Sequence, residues 1–295
     1  MKRAIILINA YSQLKHSLNQ SVRLKEELEK RGVHADIMNN NFFATHTDER
    51  GEIVNKLHGY DFCVYLDKDK YTSFLLEKSG MRLFNPHSAI EDCDDKMTTF
   101  ARLAGNGIPM PETLPGLLCY DRDLPVQKKT LDEVEKTLGY PLIMKMCYGS
   151  LGAGVFKINN RTELEDMAEK LKCEPHLFQK FIKTSCGRDM RVIVVGGKCI
   201  AAMERVNEND FRSNIELNGR GIKIDPPEEV KKMCVKAAEI LNLDYCGTDV
   251  LFGDNGYLLC EVNSNAFFGG IEAVTGINVG GAYADHMYRV IYGNK

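Results

Sequence analysis

Short apolar runs alternate with stretches of helical period along the first 84 residues. Residues 3–9, Arg-Ala-Ile-Ile-Leu-Ile-Asn, are an apolar run of strand length. Leu14, Leu18, Val22, Leu24 and Leu28 follow on roughly one helical face, closed by Gly32. Residues 33–38 and 62–66 read as further strands, with a short one at 82–84; helices are expected over 50–57 and around 73–79. This alternation predicts a small parallel sheet. No G-x-G-x-x-G follows the first strand, so a dinucleotide site is not expected there.

Asn85-Pro86 breaks the pattern. A helix is expected over 89–104, then an extended connector, because Pro109 and Pro111 forbid helix. A short helix from Asp132 leads to a strand at 142–146, a glycine-rich loop, and a strand at 155–158. Thr162 and Glu165 have the spacing of a capping box that opens a helix over 163–172, and 177–181 reads as a strand. The remainder is richer in strands. Residues 191–195 and 198–203 flank a Gly196-Gly197 turn, and 247–252 and 257–262 flank a second turn at Gly253-Asp254-Asn255-Gly256. Helices are expected over 228–241 and 283–291, with a glycine-rich loop over 263–281.

At 295 residues the chain is long enough for two or three lobes. Its 38 basic and 41 acidic residues leave a net charge of −3, which argues against nucleic-acid binding by bulk charge. The longest apolar runs are too short to span a membrane. The N-terminal run is followed by no small-residue cleavage site and reads as a strand of a cytoplasmic protein. Ten cysteines include no C-x-x-C pair and read as reduced thiols used for packing.

Three constellations carry chemistry. Gly149, Gly152 and Gly154 would let backbone N–H groups approach an anion, and Lys145 stands in the strand before them. The loop is no Walker A motif, since no Gly-Lys-Ser/Thr ends it. Asp249, Glu261 and Asn263 interrupt hydrophobic strands, where a carboxylate is costly unless paired or metal-bound. A two-residue turn at Asp254-Asn255 would pair Asp249 with Cys260, whereas a three-residue turn with Gly256 in a left-handed bulge would set it opposite Glu261. Only the second register gathers all three oxygen ligands, a set suited to Mg²⁺. Finally, the polar stretch from Glu204 to Asn214 contains Arg205 and Arg212, whose forks suit carboxylates and phosphates.

These segments, with Gly187-Arg188-Asp189-Met190-Arg191 and Gly269-Gly270-Ile271-Glu272, occur in an order that resembles the ATP-grasp superfamily, most of all its RimK-type branch of amino-acid (glutamate) ligases. The resemblance covers roughly residues 85–290. It implies an α/β (α+β ATP-grasp) fold with a pre-ATP-grasp parallel sheet over 1–84, a linker and central lobe over 85–180, and a metal-binding lobe over 181–295. It implies ATP with Mg²⁺, or Mn²⁺ in its place. Lys96 would contact the nucleotide and Lys145 its α- and β-phosphates, and Gly149, Ser150, Gly152 and Gly154 would close over the phosphates. Gln179, Lys180 and Phe181 would face adenine, Asp189 the ribose, and Ser213 and Asn214 the nucleotide. Arg205 and Arg212 would face the acyl phosphate and substrate carboxylates, and Asp249, Glu261 and Asn263 would hold the metal. The implied activity is a carboxylate–amine ligase that joins glutamate or a similar amino acid to a small-molecule or peptide carboxylate. A D-alanyl-D-alanine-type ligase, a small-molecule kinase and a non-catalytic ATP-binding regulatory protein stay open as alternatives. No membrane or nucleic-acid partner is expected, and a homo-oligomer is left open. Residues 264–269, Gln179-Lys180 and an insert over 117–129 depart from the family pattern.

Overall fold

A computed structural model describes residues 1–12, 15–150, 152–214 and 219–293. Leu14 and Leu151, assigned above to a helix face and to the glycine loop, lie outside the described residues.

The first sheet is parallel, in the order β2-β1-β5-β6. Its elements run β1 (Lys2–Ile8), α1 (Lys15–Glu29), β2 (Val33–Asn39), a hairpin of β3 (Thr45–Thr47) and β4 (Ile53–Asn55), β5 (Phe62–Leu66), α2 (Lys70–Lys78) and β6 (Leu83–Phe84). Strand β1 is buried on both faces, as its unbroken apolar run requires. Ala4, Ile6 and Ile8 pack on the α1 side, Ile5 and Leu7 on the α2 side. The helix expected over 50–57 is instead the β3–β4 hairpin. Asp48 accepts hydrogen bonds from the backbone N–H of Arg50 and Glu52, and Gly51 takes the left-handed conformation that turns the chain.

Helix α1 also differs from expectation. Leu24 and Leu28 are fully buried, but Leu18 and Val22 are exposed, while Gln20 and Glu27 are buried. The face actually used runs through positions 20, 24, 27 and 28. Charge complementarity makes it affordable: Glu27 accepts hydrogen bonds from Lys30 (2.7 Å), Arg31 (2.9 Å) and Asn278 (3.2 Å).

Two short helices follow, α3 (His87–Asp94) and α4 (Lys96–Leu103), where one was expected. Asp95 separates them because its carboxylate caps α4, accepting from the N–H groups of Met97 and Thr98. The second sheet, β7-β10-β8-β9, is antiparallel and has its own core with α5 and α6. It is built from β7 (Thr113–Pro115), α5 (Lys128–Leu138), β8 (Leu142–Met146), β9 (Val155–Ile158), α6 (Arg161–Leu171) and β10 (His176–Lys180). Asn160, rather than Thr162, caps α6.

The largest sheet, β13-β12-β11-β14-β15, comprises β11 (Arg188–Val195), β12 (Lys198–Val206), β13 (Arg220–Lys223), β14 (Tyr245–Gly253) and β15 (Gly256–Asn263). Helix α7 (Glu228–Ile240) covers one face together with α3 and α4. The stretch expected as loop contains α8 (Gly269–Thr275) and the first turn of α9 (Val279–Tyr292). Asn278 caps α9, and Glu272 accepts from the N–H of Gly280. Both helices pack on α1, so the first and largest sheets share one continuous core. Asn85 fastens the joint. It donates to the carbonyls of Tyr245 (2.8 Å) and Ser264 (2.7 Å) and accepts from the N–H groups of Asp244 (2.7 Å) and Tyr245 (3.0 Å).

Glu27 makes this joint sensitive to acid. Burial alone would raise its pKa, but the bonds from Lys30, Arg31 and Asn278 outweigh it and bring the carboxyl from 4.5 down to about 2. A lowered carboxyl pKa contributes stability above its unfolded value, and that contribution is lost as pH falls through the folded value. Glu27→Gln should therefore show a flatter stability profile than wild type between pH 4.5 and about pH 2. Urea midpoints across that range test this, and parallel profiles would refute the role of the network.

Candidate active site

A cleft of about 780 Å³ lies among the three sheets. From the second sheet, Lys145 on β8 enters it with its ammonium 3.6 Å from the Cys260 Sγ. Lys96 opens α4, so the Asp95 cap fixes where its side chain starts. Its Nζ donates to the carbonyl of Gly149 (2.9 Å) and lies 3.8 Å from Glu261 Oε1. Gly149, Gly152 and Gly154 all have positive φ. A Cβ on Gly154 would press on Met146 at 3.0–3.1 Å, so this residue serves packing beneath the loop. Every other residue named above as a site candidate lines the cleft; Gly154 does not.

The opposite wall is the largest sheet. Asp249 faces Glu261, though by a route different from the turn considered above. The β14–β15 turn has two residues, Asp254 and Asn255, with Gly253 paired to Gly256. The register then shifts by one between Asp249 and Val250, leaving Cys260 as the extra residue of a β-bulge. Glu261 and Asn263, two apart, point to the same side.

Asp249 is also held by arginines. Arg191, its cross-strand partner on β11, donates through Nε to Oδ1 and through Nη2 to Oδ2 (2.8 Å). Arg205 on β12 lies 3.0 Å from the same Oδ2 and makes a bidentate pair with its own cross-strand partner Asp189. All four groups are buried or nearly so. Burial opposes ionisation of Asp249, but the two guanidiniums outweigh it and hold its pKa below the usual carboxylate range. At Asp189 burial wins, aided by the Asp249 charge, and its pKa is raised despite Arg205. Arg191 was not among the sequence candidates. Its signal was a charge two residues from Asp189 inside an apolar run.

Loops close the ends. Arg212 pairs with Asp210 (2.8 Å) and donates to the carbonyl of Gly152 (2.8 Å), joining the largest sheet's loop to the glycine loop. Gly187 anchors that loop from below, since a Cβ there would meet the Asn207 carbonyl at 2.3 Å. The Gln179 side chain is engaged by Thr113 (2.9 Å), and Phe181 packs edge-on to Phe211. Ser213 supports the Asp189 carboxylate, and Asn214 lies next to it. The first sheet contributes Asn9, Asp67 and Lys68 to the far end and its helix α1 contributes Gln20, none of which the sequence reading included.

The donor set of Asp249, Glu261 and Asn263 fits a hard divalent cation in chemistry, being two carboxylates and an amide. Among the described residues, no three His, Cys, Asp or Glu side chains are grouped closely enough to hold a metal by themselves. A cation here would need the amide and oxygens from a ligand.

The family model of the RimK-like ATP-grasp domain matches residues 93–287. The chain belongs to the RimK-like ATP-grasp family. Human N-acetylaspartylglutamate synthase A is 38% identical over 219 residues, covering 73% of this chain and 54% of that protein. A probable alpha-L-glutamate ligase of Rhodopirellula baltica is 31% identical over 278 residues, 90% of this chain and 67% of that one. The chain thus spans about half the length of the first of these relatives. In fold, this RimK-like chain is similar to a RimK domain ATP-grasp protein of Sphaerobacter thermophilus (TM-score 0.72, 17% identity, 96% and 98% coverage). It is equally similar to a D-alanine–D-alanine ligase of Bacillus anthracis complexed with ATP (TM-score 0.74, 18% identity, 99% and 96% coverage). Among the described residues no helix is long and apolar enough to cross a membrane.

The charged chain predicts a stability effect. Arg205→Met leaves Asp189 buried with no cation and should cost about 3–5 kcal/mol. Adding Asp189→Asn should recover part of that loss. Urea unfolding of the single and double variants tests the coupling, and strictly additive losses would contradict it.

Proposed function

We propose that the chain is an ATP- and Mg²⁺-dependent carboxylate–amine ligase. In this reading ATP phosphorylates an acceptor carboxylate, giving an acyl phosphate and ADP. The neutral amine of glutamate or a similar amino acid then attacks the acyl carbon, the C–O bond to phosphate breaks, and one N–H proton leaves with the phosphate or to solvent as the amide forms. The observation that carries the reading is one cleft with two opposed walls. Lys145 and the glycine loop stand on one side, Asp249, Glu261 and Asn263 on the other, and Lys96 reaches from α4 to both. The names of the relatives, several of them glutamate ligases or synthases, support the choice of amine.

Each group has a physical task in this scheme. Lys145 and Lys96 supply positive charge to phosphate oxygens. The glycine loop presents backbone N–H groups to the same oxygens, and Phe181 with the β10 backbone offers an apolar surface for the base. Arg212 is positioned for an anionic substrate group while it tethers the loop at Gly152. Asp249, Glu261 and Asn263 would hold the divalent ion, which when bound neutralises charge on the transferring phosphoryl group. Arg191 and Arg205 keep Asp249 ionised, and a metal would share its oxygens with these two guanidiniums.

ADP release from pooled carboxylates, with and without pooled amino acids, tests the proposal. Amine-dependent release is expected; turnover indifferent to amine would point to a kinase. Asp249→Asn should lower turnover by about 100-fold or more. Turnover left intact in that variant would show that the metal assignment is wrong.

A further inference from the structure

The far end of the cleft is not absorbed by the nucleotide and metal scheme, and it has a topology of its own. In the first sheet β2 lies on one side of β1 and β5 on the other. Helices α1 and α2 pack on opposite faces. The gap between the carboxyl ends of β1 and β5 is therefore the topological switch point, where open α/β sheets leave a crevice for ligands. Asn9 follows β1 there, and Asp67 follows β5. Asn9 Nδ2 donates to Asp67 Oδ1 at 3.0 Å, and both residues line the cleft.

The charge balance of this end is unusual. Among the described residues four carboxylates line the cleft: Asp67, Asp189, Asp249 and Glu261. The last three each have a cation within 4.0 Å. Among the described residues Asp67 has none, although it is only 7% exposed. Its two hydrogen bonds, from Asn9 and from the N–H of Lys68 (2.7 Å), both fall on Oδ1. The nearby cations are already spent. Lys68 Nζ pairs with Asp94 at 2.7 Å, and Arg23 is shared among Glu26, Glu27 and Glu272. Gln20, on the buried face of α1, adds a second acceptor. Its Nε2 donates to Asn265 Oδ1 (3.3 Å), while its Oε1 is buried with no partner among the described residues. A carboxylate without a counter-cation and an amide oxygen without a donor, both lining the cleft, suit a cationic group with several N–H donors.

We propose that Asp67 and Gln20, at the switch point of the first sheet, bind the ammonium group of the α-amino-acid co-substrate. The inference rests on the ligase reading and assigns the amine's subsite within it. Asn9 orients Asp67, and Asn265 orients Gln20. The second of these contacts links the crevice to the 264–269 segment, whose sequence departs from the family pattern.

The test is calorimetric, on the full chain with Mg²⁺ and the non-hydrolysable analogue AMP-PNP. L-glutamate and N-acetyl-L-glutamate, which lacks the ammonium, are titrated into wild type, Asp67→Asn and Gln20→Met. Asp67→Asn should weaken L-glutamate about tenfold or more, and Gln20→Met by a smaller factor. AMP-PNP affinity should not change in either, which also controls for folding. N-acetyl-L-glutamate should bind weakly and be indifferent to both substitutions. Equal L-glutamate affinity in wild type and both variants would overturn the assignment, as would AMP-PNP-loaded wild type that binds no L-glutamate. Failure of wild type to bind AMP-PNP would instead sink the ligase reading, and this subsite with it.

Discussion

A carboxylate inside a sheet keeps its charge only if neighbouring strands supply the counter-charge. In the largest sheet this requirement links three strands. Asp249 on β14 is neutralised by Arg191 on β11 and Arg205 on β12, and Arg205 in turn needs Asp189 on β11. Two of these contacts are direct cross-strand pairs, so the pairing register and the charge balance specify one another. Slipping β11 by one residue would send Asp189 and Arg191 to the other face, where Val192 and Val194 now pack. The cleft floor is thus defined by electrostatic necessity as much as by apolar burial.

Much of this was legible in the chain. Strands β1, β5, β8, β11 and β14 are apolar runs bounded by glycine or polar turns, and such runs betray themselves. The glycine loop, the Asp249, Glu261 and Asn263 set and the ordered motifs from Lys96 onward were likewise visible, and the cleft gathers them. The facing of Asp249 and Glu261 was foreseeable as an outcome but not in its cause. Turn chemistry near Gly256 suggested an irregularity in the loop, whereas the chain places it at Cys260, within the strand. A bulge inside a strand leaves no mark on the alternation of apolar residues that a turn residue would leave.

What escaped the reading has a common origin. Residues 50–57, Gln20, Asp67 and Arg191 are all polar groups, or segments, whose place is decided by partners distant in sequence. Helical spacing of leucines pointed to Leu18 and Val22 as the inner face of α1, but α8 and α9 pack against it and favour a face carrying Glu27 and Gln20. Periodicity counts apolar side chains. It has no means to foresee that a glutamate becomes acceptable inside once Lys30, Arg31 and Asn278 converge on it.

The core shared by the first and largest sheets has a mechanical meaning. With Asn85 fastening one to the other, these two parts form a single anvil, while the second sheet is built around a core of its own. Two side chains tie the second sheet's loop across the cleft: Lys96 to the Gly149 carbonyl from one side, Arg212 to the Gly152 carbonyl from the other. Both fastenings end on peptide oxygens of the loop that would cover the phosphates. Under the ligase reading these two cations also face an anionic ligand, so the loop and the ligand would share the same two charges.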